Sequence, residues 1–371
     1  MRRIRTIDGV ELYDIICSRE NVEAAVQAAC RDHHKDPAVI RIRENPEPYI
    51  QAVIQILVTG SFHYSNFRTK RIFERGKQRN LCYTRTFPDR IIQHAVLQVV
   101  GPILLGTCVR DTYAAIKGKG LHRCNRQIRE DMHNDPEGTK FCFKMDVSKY
   151  FPSISRVKLF ALIKKKIKCP RTLEILSRMI FEVPGKNGLP IGLYSSQIFS
   201  TFFLTYFDHF CKERLRIIYY RRYMDDVVIL ASSKFLLRQY KYHIEEYLND
   251  MILTIKPNWQ IFPVESRGVD FVGYVFRHDY ILLRKKIKIR YIRSCNCIVR
   301  AVRHGEQVTP HMMASKISYE GRIGRWCDGY RLVEKHTRRV DIALEFGAEA
   351  IPEARPYEIR HSSPGLAGAT A

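Results

Sequence analysis

The sequence predicts an α+β fold. Three observations carry that expectation: helix-type apolar spacing over the first sixty residues or so, short apolar runs bounded by turn residues, and their order, which mixes helices with hairpin-linked strands. A chain of 371 residues has room for two or three compact units. Apolar residues make up 45% and aromatics 11%, enough for a buried core, which excludes a disordered chain. With 62 Lys and Arg against 38 Asp and Glu the net charge is +24, so the surface attracts polyanions.

Taken in order, Ile15, Ile16, Val22, Ala25, Val26 and Ala29, then Tyr49, Val53, Ile54 and Ile56, mark a helical extension over residues 1–60. Residues 33–48 between them read as a charged linker broken by prolines. Two β-like runs, 67–73 and 80–86, flank a basic glycine-bearing turn, a hairpin with Lys77 and Arg79 at its tip. Pro88 and Asp89 open a helix, 141–147 is a strand, and 157–168 is a basic amphipathic helix ended by Pro170. Residues 189–209 read as a buried helix, 219–230 as strand, two-acid turn and strand, and 235–252 as helix. Short strands follow at 259–262 and 271–276.

Two uncharged stretches, 91–109 and 189–207, hold too many Gln, Ser, Thr and Pro residues to span a bilayer, so no membrane is expected. The 11 cysteines are scattered without a CxxC pair, and no second ligand pair follows Cys295 and Cys297. They suit a reducing, cytoplasmic setting, and the acids near the start leave no apolar run for an export signal. Between Arg284 and Arg339 the composition changes to 15 Lys and Arg against 4 Asp and Glu, a local charge of +11. Within it Trp326 and Tyr330 are expected as core anchors, with base stacking as the other reading. Beyond Phe346 the Ala, Pro, Gly and Ser content predicts a frayed tail.

The sharpest feature is Tyr223-Met224-Asp225-Asp226 between two apolar strands. Adjacent acids at a tight turn repel each other unless cations occupy the site. Asp146, near the end of another apolar strand, supplies a third acid. If the two strands are neighbours, Asp146 and Asp225 converge across 79 positions of sequence (225 minus 146). Hard oxygen ligands of this kind suit Mg²⁺, and two such ions between attacking and leaving oxygens are the logic of nucleotidyl transfer. A solvated turn and a strand-end cap are the plainer readings of the same residues.

In this order, MDVSKYFPSI, GLPIGLYSSQ, YMDD and GVDFVGY resemble the successive blocks of a reverse transcriptase, and KQRNL, FPDRIIQHA and DTYAAIKGKGLH resemble that family's finger blocks. The resemblance implies a right-hand polymerase with a reverse-transcriptase-type palm sheet and a helical thumb. It implies fingers at 61–140, palm at 141–159 and 189–283, a fingers insertion at 160–188, a basic thumb at 284–345 and a flexible tail at 346–371. Asp146 and Asp225 fall on the metal-binding aspartates, Asp226 on the adjacent acid, and Val147 would offer its carbonyl to metal. Two Mg²⁺ ions are implied, with Mn²⁺ as a substitute.

Phe151 falls on the aromatic gate that rejects a ribose 2′-hydroxyl, Lys77 and Arg79 on finger residues that hold the triphosphate, and Ile191, Gly192 and Gln197 on the nucleotide-binding block. The finger turn is one residue longer than usual, so either Lys77 or Arg75 holds the phosphate. Tyr223, Met224, Phe271, Gly273 and Tyr274 would lie near the primer end, with Arg284, Lys285 and Lys286 on the duplex. Gly118 and Gly120 suit either close approach to nucleic acid or a tight turn. The implied partners are template RNA, the cDNA/RNA duplex, dNTPs and a small basic accessory protein.

Ile191-Gly192 and Ser196-Gln197 stand where many reverse transcriptases carry Gln-Gly and Ser-Pro. This variant resembles the enzymes of bacterial and phage diversity-generating retroelements, which copy a template RNA with errors at adenines. Related blocks occur in phage-defence reverse transcriptases. Ile191 would offer shape where glutamine offers a hydrogen bond, loosening discrimination by about 1–3 kcal/mol. An inactive RNA-binding scaffold is the reading from another class, and an RNA polymerase is disfavoured by Phe151.

Overall fold

A computed structural model of the chain describes residues 3–31, 33–74, 77–324 and 327–347, with the backbone alone at 74 and 77. It divides into two compact units, one of Met1–Val272 with Phe276–Asp279, the other of Gly273–Val275 with the chain from Tyr280. The expected frayed tail beyond Phe346, from residue 348, lies outside the described residues.

The first unit begins with a small hairpin of β1 (Thr6–Ile7) and β2 (Val10–Glu11). Four helices follow, α1 (Leu12–Cys17), α2 (Arg19–Cys30), α3 (Pro37–Glu44) and α4 (Glu47–Thr59). Each buries its apolar stripe, as the spacing required. α3 corrects the expected linker. Pro37 stands in the first helical turn, where its missing N–H costs nothing, and the Asp36 side chain accepts from the Ala38 N–H. The prolines therefore start helices here.

β3 (Phe67–Glu74) and β4 (Lys77–Thr84) pair antiparallel, Phe67 opposite Thr84, as the hairpin pattern predicted. Arg75 lies outside the described residues, as does the side chain of Lys77. α5 (Ile91–Leu105) is buried along most of its length, and α6 (Leu121–Asn134) follows Gly118 and Gly120. Those two glycines have φ of +74° and +143°, a backbone that suits glycine, with nothing within 4 Å of an added Cβ.

The centre of the unit is an antiparallel sheet of β5 (Phe141–Asp146), β6 (Tyr219–Tyr223), β7 (Asp226–Ala231) and β8 (Gln260–Pro263), in the order β6-β7-β5-β8. Between β5 and β6 run α7 (Tyr150–Ser153), α8 (Arg156–Lys164), α9 (Pro170–Phe181), α10 (Tyr194–Phe203) and α11 (Thr205–His209). α12 (Lys234–Asp250) connects β7 to β8, capped by the Ser233 side chain on the Leu236 N–H. α13 (Val264–Arg267) and β9 (Val269–Phe271) complete the unit. Phe143, Met145, Val227 and Ile229 of the sheet share one core with Phe199, Phe202, Phe203 and Phe207 of α10 and α11, and with Val96 and Val100 of α5. The two uncharged stretches supply core helices, although the second is helical only from Tyr194, its first residues 189–193 being loop, and among the described residues no helix is long and apolar enough to cross a membrane.

In the second unit β10 (Tyr274–Phe276) and β11 (Ile281–Leu283) precede α14 (Lys285–Arg303), α15 (Pro310–Gly324) and α16 (Tyr330–Phe346). Tyr274, Tyr291, Ile298, Ile323, Val340 and Ala343 are buried there. Tyr330, expected as an anchor, is 74% exposed at the start of α16, and Trp326 lies outside the described residues. Tyr274 and Tyr291 supply the large buried rings instead.

Phe203→Ala, which empties a fully buried position beside the sheet, should cost about 3–5 kcal/mol, read from the urea midpoint at an unchanged slope.

Candidate active site

The antiparallel pairing of β5 with β7 sets Asp146, the last residue of one, opposite Asp226, the first of the other. β6 and β7 close at the Tyr223–Asp226 pair, which leaves Met224 and Asp225 as a two-residue turn. Met224 takes φ of +57°, a left-handed value at the first turn position. The Val147 N–H donates to the Asp225 carbonyl at 3.3 Å, tying the turn to the end of β5. Asp146 and Asp225 therefore meet, as the sequence predicted.

The carboxyls of Asp146 and Asp225 are within hydrogen-bonding reach, a bond two ionised carboxylates cannot make. Burial, then the charge of Asp146, its hydrogen bond and the charge of Asp226 push the Asp225 pKa up to about 7. The Lys256 ammonium contacts Asp146 Oδ2, and the Lys256 N–H donates to the Asp146 carbonyl at 2.8 Å. Asp146 Oδ1 is buried, and among the described residues no donor reaches it. A buried carboxylate oxygen without a donor, on a side chain that meets a second carboxyl, fits a divalent cation with oxygen ligands. Among the described residues no group of three or more acidic, His or Cys side chains is already gathered in metal-holding geometry, so the pair is the nucleus of the site.

Behind this pair Phe151, in α7, is partly buried with its ring centroid 5.8 Å from that of Tyr150. Its carbonyl accepts from the Leu189 N–H at 2.8 Å. The 184–193 loop is tied on both sides. A Cβ on Gly188 would lie 2.4 Å from the Pro152 carbonyl oxygen, and one on Gly192 2.4 Å from that of Cys82 in β4. The Cys82 N–H donates to the Ile191 carbonyl at 2.7 Å. Arg156, buried, donates to the carbonyls of Gly188, Pro184 and Phe181 at 2.7, 2.8 and 3.3 Å. The resemblance puts Gly192 on the nucleotide-binding block, and its missing side chain leaves room for the β4 backbone. Gln197 is exposed on α10, and Arg79 lies in β4 opposite Ile72.

Phe271 and Tyr274 are fully buried, and the Tyr274 hydroxyl donates to the Arg322 carbonyl at 3.1 Å. A side-chain contact with a primer is not open to either, because both rings are core. Val272 and Gly273 between them have φ of +42° and +95°. A Cβ on Gly273 would meet Ile287 Cδ1 at 3.0 Å, so its close approach is to α14. Arg284 precedes α14 and its N–H donates to the Gly273 carbonyl at 3.1 Å, while Lys285 and Lys286 are exposed in the first turn. Sequence reasoning passed over Lys256, Arg156 and Arg222. Only Arg222 carried a signal: strand alternation puts it on the face of Tyr220 and away from water.

A four-stranded antiparallel sheet with paired aspartates at its hairpin turn is the arrangement that the resemblance to a polymerase palm implied. Residues 69–276 match the family profile "Reverse transcriptase (RNA-dependent DNA polymerase)", more than half of the chain, and the chain belongs to that family. Membership brings the right-hand polymerase fold class with it. No curated protein matches the sequence. Among solved structures, apo telomerase from Candida tropicalis is similar at 14% identity and a TM-score of 0.48, over 82% of this chain and 62% of that one. A form truncated from its C-terminal domain gives 15% and 0.45 over 60% and 55%. Telomerase from Candida albicans in complex with a TWJ fragment of telomeric RNA gives 10% and 0.48 over 79% and 66%. The chain thus spans about 55–66% of the length of these chains.

A carboxyl whose pKa is higher in the folded chain than the ordinary 3.8 favours folding below that value and ceases to as pH rises through about 7. In EDTA, Asp225→Asn should therefore melt above the wild type at pH 8, with the gap closing towards pH 4. Thermal melts across that range check it.

Proposed function

We propose that this protein is an RNA-directed DNA polymerase that makes cDNA from a structured RNA template. The observation that carries the proposal is the meeting of Asp146 and Asp225 at the hairpin turn, with one buried carboxylate oxygen lacking a donor. Asp146 and Asp225, with Asp226 and the Val147 carbonyl, would hold divalent metal, two Mg²⁺ ions or Mn²⁺ in their place. When bound, such metal supplies positive charge at the attacking 3′-hydroxyl, the α-phosphate and the departing pyrophosphate.

The chain's own residues do the rest. Asp225 must be ionised to serve, and its raised pKa makes it a group that gives up its proton near neutrality. Phe151, held through its carbonyl by Leu189, is the surface on which a ribose 2′-hydroxyl would collide. Ile191 and Gly192, fastened to β4, keep the nucleotide-binding block beside the finger hairpin that carries Arg79 and Lys77. Tyr223 and Met224 at the turn lie nearest the primer end. Lys285 and Lys286, with the +11 segment around them, offer phosphate contacts that are indifferent to sequence. The subdomain bounds are those the resemblance implies, with the thumb at 284–345.

Within the family, Ile191-Gly192 and Ser196-Gln197 favour a diversity-generating retroelement that copies its template with errors at adenines, with a small basic accessory protein as partner. A phage-defence reverse transcriptase is the alternative. A nearby pair of imperfect DNA repeats, differing mainly at adenines in one copy, distinguishes the first from the second.

Extension of a primer on a defined RNA with labelled dNTPs tests the activity. Wild type should extend and Asp225→Asn should fold yet fall by at least about a thousandfold, in the range of losing a principal charge-stabilising group. Retained activity in that variant would overturn the assignment. Phe151→Ala should raise rNTP incorporation relative to dNTP by about tenfold or more, and an unchanged ratio removes the gate.

A further inference from the structure

We propose that Arg222, whose guanidinium is sealed inside the protein, is a positioning residue for the catalytic turn. It grips the Met224 carbonyl and thereby holds the turn in the one conformation that delivers Asp225 to Asp146. The proposal rests on the polymerase reading above and adds a role that the aspartates alone do not require.

The geometry is specific. Arg222 and Asp208 are both fully buried, and they form a two-pronged pair, Nε to Oδ1 at 2.6 Å and Nη2 to Oδ2 at 2.5 Å. The same carboxylate accepts from the Tyr220 hydroxyl at 2.6 Å and the Thr112 hydroxyl at 2.7 Å. Asp208 is thereby saturated, and the guanidinium plane is fixed. Its remaining reach is spent on two backbone carbonyls, Thr201 on α10 through Nη2 at 3.1 Å and Met224 through Nη1 at 3.0 Å. The backbone of Arg222 is held as well, its N–H on the Asp111 carbonyl at 3.0 Å and its carbonyl under the Tyr113 N–H at 3.1 Å. The anchor is rigid before it touches the turn.

The turn needs an anchor. A left-handed φ at the first position of a two-residue hairpin suits glycine, and here it falls on methionine at +57°. A non-glycine residue in that region resists it, so the conformation persists only where the surroundings impose it. Arg222 imposes it from the inside, through the carbonyl of the strained residue itself. The Thr201 hydroxyl lies 3.5 Å from the Met224 sulfur and adds a contact to the side chain. A buried charge pair is costly to break and weak as a source of net stability, so a positional role is the better account of why one stands here.

Lysine at 222 keeps the charge facing Asp208 but lacks the fork that reaches Met224 at the same time. Arg222→Lys should lower kcat for single-nucleotide addition by about tenfold or more, with KM for dNTP and the affinity for template-primer within about threefold of wild type. Met224→Gly removes the left-handed strain. In a double-mutant cycle it should therefore recover activity in the Arg222→Lys background by more than it changes the wild type. Thr112→Val removes a bond to the same carboxylate without touching the turn and should lower the melting temperature while leaving kcat unchanged.

Wild-type kcat in Arg222→Lys overturns the proposal. So does additivity with Met224→Gly, or a Thr112→Val loss of kcat in proportion to its loss of stability. Should Arg222→Lys not fold, recovery of folding and extension together in the Arg222→Lys/Met224→Gly protein supports the turn role, and no recovery refutes it. A wild-type chain that cannot extend a primer defeats the polymerase reading instead, so the two failures are separate.

Discussion

Two carboxylates meeting at a hairpin turn form the constraint around which the first unit is arranged. Like charges about 4 Å apart at an effective dielectric near 20 repel by about 4 kcal/mol, and partial burial adds to that cost. Nothing in the isolated turn would keep Asp225 against Asp146 under such repulsion. The frame does so from three directions. The β5–β7 register fixes where the strand ends lie, the Val147 N–H holds the Asp225 carbonyl, and Lys256 balances the far oxygen of Asp146. The raised pKa of Asp225 records what the frame leaves uncompensated, burial first and the charge of Asp146 second.

The same economy of backbone contacts holds the segment between α9 and α10. The 184–193 loop has no regular structure to stiffen it, yet it is fastened to α7 at Gly188 and Leu189, to β4 at Ile191 and Gly192, and to its own carbonyls by Arg156. The contacts are too close for any side chain at positions 188 and 192, which is why glycine stands at both. A loop tied at both ends transmits the position of the β3–β4 hairpin to the segment that carries Phe151. The β3–β4 hairpin and α7 are therefore joined through this loop within the first unit.

Much of this was legible in the sequence, and the reason is local. Apolar runs of period two, a two-acid turn and a glycine-bearing basic turn are each complete within a dozen residues, so β3 to β7 and the aspartates could be read directly. What escaped was set by partners far along the chain. Arg222 looks like a polar strand residue until Asp208, Thr201 and Thr112 close around it. Lys256 is one of many lysines, distinguished only because β8 and the chain before it run beside β5. Phe271 and Tyr274 lie in a block that the resemblance assigns to the primer, yet their rings are core. The α3 helix was misread for a different reason: proline breaks a helix in its interior and favours one at its first turn, and composition alone does not say which.

The distribution of charge poses a last problem and also answers it. A chain of net +24 attracts polyanions, yet its hairpin turn presents clustered acids. Phosphates would be repelled from such a spot, and solvated lysines and arginines on the surface do not neutralise acids that they do not contact. On the polymerase reading proposed above, a small divalent ion held by the acids would reverse the local sign where a phosphate would sit, and no side chain is compact enough to do the same. Lys256 reaches only one oxygen of Asp146 and leaves the other without a donor. On that reading the basic surface and the acidic turn are complementary demands of one substrate: the first would gather a polyanion, and the second would serve it only through a cation held between the paired aspartates.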